Sequence, residues 1–100
     1  MPKGYAVVLL DVRDHDLYVE YARGATEVEA RFGGRPVVVG DAAEVVEGCW
    51  PSERIVVLEF PSLDQARAWY ADPDYQALVP LRHRATTSRI LLIEGFIPGD

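Results

Sequence analysis

Residues 55–85 read IVVLEFPSLDQARAWYADPDYQALVPLRHRA. The stretch opens with an apolar, β-branched run, so a strand buried on both faces is predicted from Arg54 to Phe60. Pro61 stops it. Ser62 followed by Gln65 has the spacing of a capping box, in which the hydroxyl accepts from the first turn and the amide reaches back. The helix that follows buries Leu63, Ala66 and Trp69 or Tyr70. Asp72-Pro73 breaks it and starts a new helical run, with the aspartate as cap and the proline at the first helical position. That second run carries Tyr75, Leu78, Val79, Arg82 and Ala85 at helical spacing. Pro80 lies inside it and is expected to kink or split it.

Working outward, Tyr5–Val12 (YAVVLLDV) is another doubly buried strand. Asp14 or Asp16 can cap a helix over residues 15–32. Its apolar face is Leu17, Tyr18, Tyr21, Ala25, Val28 and Phe32, and Glu20, Arg23, Glu27 and Arg31 form the other face. Gly33-Gly34 ends this helix, because glycine takes the left-handed conformation at little cost. Arg35–Val39 is a strand interrupted at Gly40-Asp41, with a bulge or small hairpin at 40–43 and a resumption at Glu44–Glu47. Pro36 points to a sheet edge. Residues 48–53 form a turn, Arg89–Phe96 is the last strand, and residues 97–100 are a tail. The order β-α-β-β-α-β defines an α+β, ferredoxin-like arrangement. Right-handed crossovers then place both helical segments on one face of a four-stranded antiparallel sheet.

One hundred residues, 49% of them hydrophobic, suffice for one domain over 1–100. The formal net charge of −6 and the scattered basic residues argue against nucleic acid and anionic membrane, which reward clustered Lys and Arg. No apolar run approaches the ~20 residues of a membrane span. Met1-Pro2-Lys3-Gly4 leads directly into a strand, and the single Cys49 has no intramolecular partner, so a cytoplasmic protein is the expectation. Two isolated histidines and one cysteine lack metal-ligand spacing. No glycine-rich loop has the form of a phosphate cradle, so no metal or cofactor is expected.

The strands are apolar at both parities. Ile55 and Val57 oppose Val56, Leu58 and Phe60; Val7 and Leu9 oppose Ala6, Val8 and Leu10; Leu91 and Ile93 oppose Ile90 and Leu92. Two helices cover one face, which leaves a contiguous apolar surface larger than monomers usually expose. A homodimer formed sheet to sheet about a two-fold axis, burying roughly 2,000 Å² or more, is the expected remedy.

GGR at 33–35, EGCW at 47–50, ERIVVLEFPSLDQARAWYADPDYQAL at 53–78, LR at 81–82 and IEGF at 93–96 resemble the DUF1330 family. This is a group of small proteins of undetermined function in the dimeric α/β-barrel superfamily. The resemblance covers about residues 4–96, and it implies the fold and the dimer but no established reaction. Pro80 and Ala71-Asp72 depart from the usual family pattern. Other members of the superfamily include cofactor-independent monooxygenases, cyclases and heme-degrading enzymes that use the cleft between sheet and helices. Gln65, Trp69, Tyr75 and Arg89 are spaced similarly to an Asn/Trp/Tyr/Arg set of the quinone-forming monooxygenases, with Gln in place of Asn.

That resemblance and the residues themselves outline a site. Trp69, Tyr70 and Tyr75 can wall a planar ligand, or simply pack a core. Arg35, Arg82 or Arg89 can hold an oxyanion, or pair with a carboxylate such as Glu47, Glu59 or Glu94. Glu59 or His83 can move protons, whereas a cross-strand salt bridge and an exposed helical histidine are the plainer readings. The reading favoured is a small cofactor-independent enzyme acting on an aromatic or polyketide-like molecule. A non-catalytic small-molecule-binding or interaction protein is the alternative.

Overall fold

The computed structural model describes residues 1–40, 43–50 and 54–99. The elements in order are β1 (Gly4–Val12), α1 (His15–Arg31), β2 (Arg35–Gly40), β3 (Arg54–Phe60), α2 (Leu63–Ala71), α3 (Pro73–Gln76), α4 (Val79–Ala85) and β4 (Thr86–Glu94). The four strands form one antiparallel sheet in the order β2-β3-β1-β4. This is the ferredoxin-like α+β arrangement that the element order implies.

Local chemistry sets the boundaries. The Asp14 carboxylate accepts from the Leu17 backbone N–H at 3.1 Å and so caps α1. At the other end Gly33 has φ of 75°, and the N–H groups of Phe32 and Gly34 both return to the Glu29 carbonyl, at 3.0 and 2.9 Å. Ser62 Oγ accepts from the Gln65 N–H at 3.2 Å to start α2. Asp72 Oδ1 accepts from the Asp74 N–H at 2.8 Å to start α3, with Pro73 at its head. Pro80 lies in the first turn of α4, where a missing N–H costs no hydrogen bond. The second helical run is therefore split, as its proline suggests.

Some details differ from expectation. β4 begins at Thr86 rather than Arg89, because pairing with β1 continues to the Val12–Thr86 position, and it ends at Glu94 rather than Phe96. Glu44–Glu47 is not a strand: residues 43–50 are irregular and exposed. The bulge lies between Pro36 and Val38, where the register of edge strand β2 against β3 shifts. The remainder of the expected 40–43 irregularity, at residues 41 and 42, lies outside the described residues, as do 51–53 of the expected turn.

The register sorts every strand residue to one of two faces. Ala6, Val8 and Leu10 of β1 and Leu58 and Phe60 of β3 face the helices and are buried, beneath Tyr18, Tyr21, Ala25 and Val28 of α1 and Ala66 and Trp69 of α2. The opposite face carries a row that crosses all four strands, Val38–Val57–Val7–Leu91. Beside it run Arg35–Glu59–Tyr5–Ile93 and Ile55–Leu9–Arg89. Among the described residues no helix covers these rows, and Leu91 and Ile93 are each 53% exposed. The sheet is apolar on both sides, as its sequence implies.

Gly4 shows how tightly α2 seats on the sheet. A Cβ added there would lie 2.5 Å from the Leu63 backbone, which cannot yield as a flexible side chain could. Gly4→Ala is expected to lower stability by about 1–3 kcal/mol through overpacking. The measurement is a urea titration, with the midpoint falling and the slope unchanged.

Candidate functional site

Tyr21, Ala25 and Glu29 recur every four residues along α1, so they occupy one stripe of the helix, and that stripe faces the sheet. Ala25 is the small member between two large ones and leaves room above the strands. The space is a cavity of about 220 Å³. Its floor is Val8, Leu10, Val56 and Leu58; Trp69 closes one side, and Pro36, Val39, Arg54 and Thr26 are among the residues of its wall. The Arg54 guanidinium sits 5.5 Å from the Tyr18 ring centroid, in cation–π range.

Glu29 is the unusual member of this wall. Only 6% of it is exposed. Among the described residues its carboxyl forms no hydrogen bond and no ion pair. Burial pushes its pKa up to about 7, because the charged form loses solvation. Its place in the last turn of α1, at the negative end of the helix dipole, opposes ionisation further. A carboxyl near neutrality can both take and give a proton at physiological pH.

A second polar group lies at the other end of the stripe. The hydroxyls of Tyr21 and Tyr75 are 2.7 Å apart, and Arg82 Nη1 donates to the Tyr75 hydroxyl at 2.7 Å. Arg82 is 5% exposed, and its carbonyl accepts from Thr86 Oγ1 at 2.8 Å, which ties the end of α4 to β4. Burial raises both tyrosine pKa values. Trp69 stacks at a tilt on Tyr75 with centroids 4.3 Å apart, and on Phe60 at 5.3 Å. Its Nε1 and Arg82 Nε are buried without a partner among the described residues.

The structure brings Trp69 and Tyr75 together and sets Tyr70 beside them, with Tyr70–Tyr75 centroids 5.7 Å apart and Tyr70 37% exposed. Gln65 is exposed on α2. Three expected site residues lie on the far side of the sheet. Arg35 donates to Glu59 Oε1 at 3.2 Å and the Tyr5 hydroxyl donates to Oε2 at 3.1 Å. The Arg35 hydrogen bond holds the Glu59 carboxyl below the usual carboxylate range, so this group is an ion-pair partner and not a poised proton carrier. Arg89 pairs in register with Leu9 on that same face, away from Trp69 and Tyr75. The guanidinium that reaches Tyr75 belongs instead to Arg82. His83 is exposed on α4, with its Nε2 3.3 Å from Arg82 Nη2. Glu29 and Tyr21 are the chemistry-bearing residues of the cavity that site reasoning passed over. The available signal was Glu29's place one turn beyond Ala25 and two beyond Tyr21, on the apolar stripe.

Among the described residues no three His, Cys, Asp or Glu side chains group closely enough to hold a metal ion, and no helix is long and apolar enough to cross a membrane.

A ferredoxin-like sheet with a side-chain-lined cleft under its helices is the class to which these features belong. The chain belongs to the DUF1330 family, a domain of unknown function, which matches residues 3–96. Comparison with curated proteins finds no match. Among solved structures, the chain is similar to a protein of unknown function from Rhodopseudomonas palustris, with TM-score 0.76 and 22% identity over 97% of this chain and 85% of that one. It is also similar to SnoaB, a cofactor-independent oxygenase from Streptomyces nogalater, with TM-score 0.67 and 15% identity over 99% and 98%. A dimeric ferredoxin-like protein of unknown function from Thermobifida fusca aligns with TM-score 0.58 and 13% identity over 93% and 91%.

The raised pKa of Glu29 makes stability depend on pH. Its folded value of about 7 exceeds the ordinary 4.5, so between those values the folded state binds more protons than the unfolded state. Stability is therefore fullest below pH 4.5 for this group and falls as pH rises toward 7. The loss is about 3 kcal/mol at 1.36 kcal/mol per pH unit. Glu29→Gln is expected to remove this slope, read from urea midpoints between pH 5 and 8.

Proposed function

We propose that this chain is a one-domain, cytoplasmic enzyme that works without a cofactor. Its substrate is a small, flat, largely apolar molecule bound between the sheet and α1, and its reaction is proton transfer. The observation that carries this reading is Glu29, a buried carboxyl without a partner among the described residues, set in an apolar wall. A buried charge of this kind is costly to a fold, and perturbed carboxyls in clefts mark acid–base sites. A cavity of about 150 Å³ lined by apolar side chains holds benzene, so about 220 Å³ suits one ring or two fused rings. SnoaB, of like fold, is a cofactor-independent oxygenase, in keeping with chemistry performed by side chains.

In the step proposed, the Glu29 carboxylate removes a proton from a carbon beside a carbonyl. The C–H electron pair becomes the C=C bond of an enolate and the carbonyl oxygen takes the negative charge. Glu29 then returns the proton to carbon. 2-Tetralone, a two-ring ketone with such protons, is a suitable probe. Wild type is expected to speed its hydrogen–deuterium exchange in heavy water, followed by NMR. Glu29→Gln should slow that exchange by roughly 10²-fold or more while thermal-shift binding persists. Binding without any acceleration over buffer would instead favour the non-catalytic reading.

We also propose that two copies pair through the uncovered sheet face. The Val38–Val57–Val7–Leu91 row has no covering element, and monomers rarely leave such a surface to solvent. Fold neighbours include a protein described as dimeric. The expected result is a dimer by light scattering at micromolar concentration, and a monomer for Val7→Asp, whose charge would be buried at the centre of the interface.

A further inference from the structure

The Tyr21–Tyr75 hydroxyl pair has one more proton to donate than the described residues accept. A guanidinium can only donate, so Arg82 occupies a lone pair of the Tyr75 hydroxyl and takes no proton from it. The bond between the two tyrosines, at 2.7 Å, uses one of their two hydroxyl protons. Whichever tyrosine donates in that bond, the other hydroxyl proton has no acceptor among the described residues. Tyr75 is 0% exposed and Tyr21 9%, so the pair is largely withdrawn from bulk solvent, and Tyr21 meets the cavity.

The electrostatics point the same way. The cluster holds a buried guanidinium whose side-chain partners here are the phenols of Tyr75 and Tyr21 and the His83 ring, with no carboxylate among them. An uncompensated buried cation is unfavourable, and a bound oxyanion would offset it. Two further N–H groups at the same aromatic cluster, Trp69 Nε1 and Arg82 Nε, are also buried without partners among the described residues. Tyr21 and Trp69 line the cavity, and Glu29 lies eight residues along α1 from Tyr21, about 12 Å at 1.5 Å per residue.

We infer that the spare tyrosine hydroxyl, polarised by Arg82, is an oxygen-binding subsite, and that the ligand is a fused-ring phenol or enolisable ketone whose oxygen carries negative charge when bound. This deepens the reading of the same cavity and rests on it. The ligand oxygen accepts from the tyrosine, and its ring extends along the Ala25 gap toward Glu29. Arg82 touches no ligand atom; it is a positioning residue that makes the hydroxyl a stronger donor.

The test uses 2-naphthol and naphthalene, two probes of equal ring size that differ by one oxygen. Their binding to the full chain is measured by fluorescence, and the ionisation of bound 2-naphthol by absorbance against pH. The expected result is that wild type binds 2-naphthol roughly tenfold or more tighter than naphthalene, since a hydrogen bond to a charged group is worth that much. Bound 2-naphthol should also ionise at lower pH than free 2-naphthol. Tyr21→Phe should abolish the preference and the ionisation shift while leaving naphthalene binding within about twofold. Should Tyr21→Phe fail to fold, Tyr75→Phe takes its place, and the wild-type ionisation curve decides alone if neither variant folds. Equal binding of both probes, an unshifted ionisation, or no binding of either ring overturns the proposal. The two readings fail separately: loss of deuterium exchange with naphthol ionisation still shifted removes Glu29's role only, and the reverse removes the oxygen subsite only.

Discussion

Strand β1 is hydrogen-bonded along both edges, to β3 on one side and to β4 on the other, and its register sorts the rest of the molecule. Alternation along a strand has a period of two, so a slip of one residue would turn Ala6, Val8 and Leu10 away from the helices and bring Val7 and Leu9 under them. Patterning alone would tolerate that slip, since both sets are apolar. Size decides instead. Ala6 and Gly4 are small where α2 descends on the sheet, and Leu63 leaves no space for anything larger at Gly4. The close seat of α2 then fixes where Trp69 meets Phe60 and Tyr75, and so where the cleft ends.

The cleft follows from an unequal cover. α1 is long and faces β1, β3 and β2 across the cleft, while the second helical segment is broken into short helices, of which α2 packs on β1, β3 and β4 and α4 on β4. Between them Ala25 leaves a gap that no neighbouring side chain fills. Two polar ends face each other along this gap, a carboxyl that burial keeps near neutrality and a pair of phenols backed by a guanidinium. On the far side of the sheet, Arg35, Glu59 and Tyr5 satisfy one another at the margin of the apolar rows. The two faces thus divide the polar chemistry, with an ion-paired carboxylate on one and, among the described residues, unpartnered buried donors on the other.

The fold was legible because its signals are local. Asp14, Ser62, Asp72 and Gly33 act within one turn of themselves, and each performs the capping or stopping role its type suggests. The apolar strands were equally plain, although the end of β4 was not: Thr86 to Ser88 look polar in sequence and join the strand only because β1 offers them partners. The resumption at Glu44–Glu47 failed for the converse reason, since two adjacent valines without a neighbouring strand among the described residues have nothing to pair with. The site was less legible because it depends on which parity faces inward. Glu59 and Arg89 share the inviting chemistry of cleft residues but sit at the outward parity. Arg82, seven residues earlier in the chain than Arg89, comes to Tyr75 because α3 and α4 are separate short helices. Glu29 was hidden by its company, among charged residues that do face solvent.

The Glu29 peptide has a second employment. Its carbonyl gathers the N–H groups of Phe32 and Gly34, closing the corner from which the chain enters the edge strand. The acidic group and the hinge of that corner are therefore one residue. A substitution of the Glu29 side chain leaves this carbonyl in place, so the acid can be exchanged without opening the corner. A descendant with altered chemistry would more readily keep the corner and exchange the side chain.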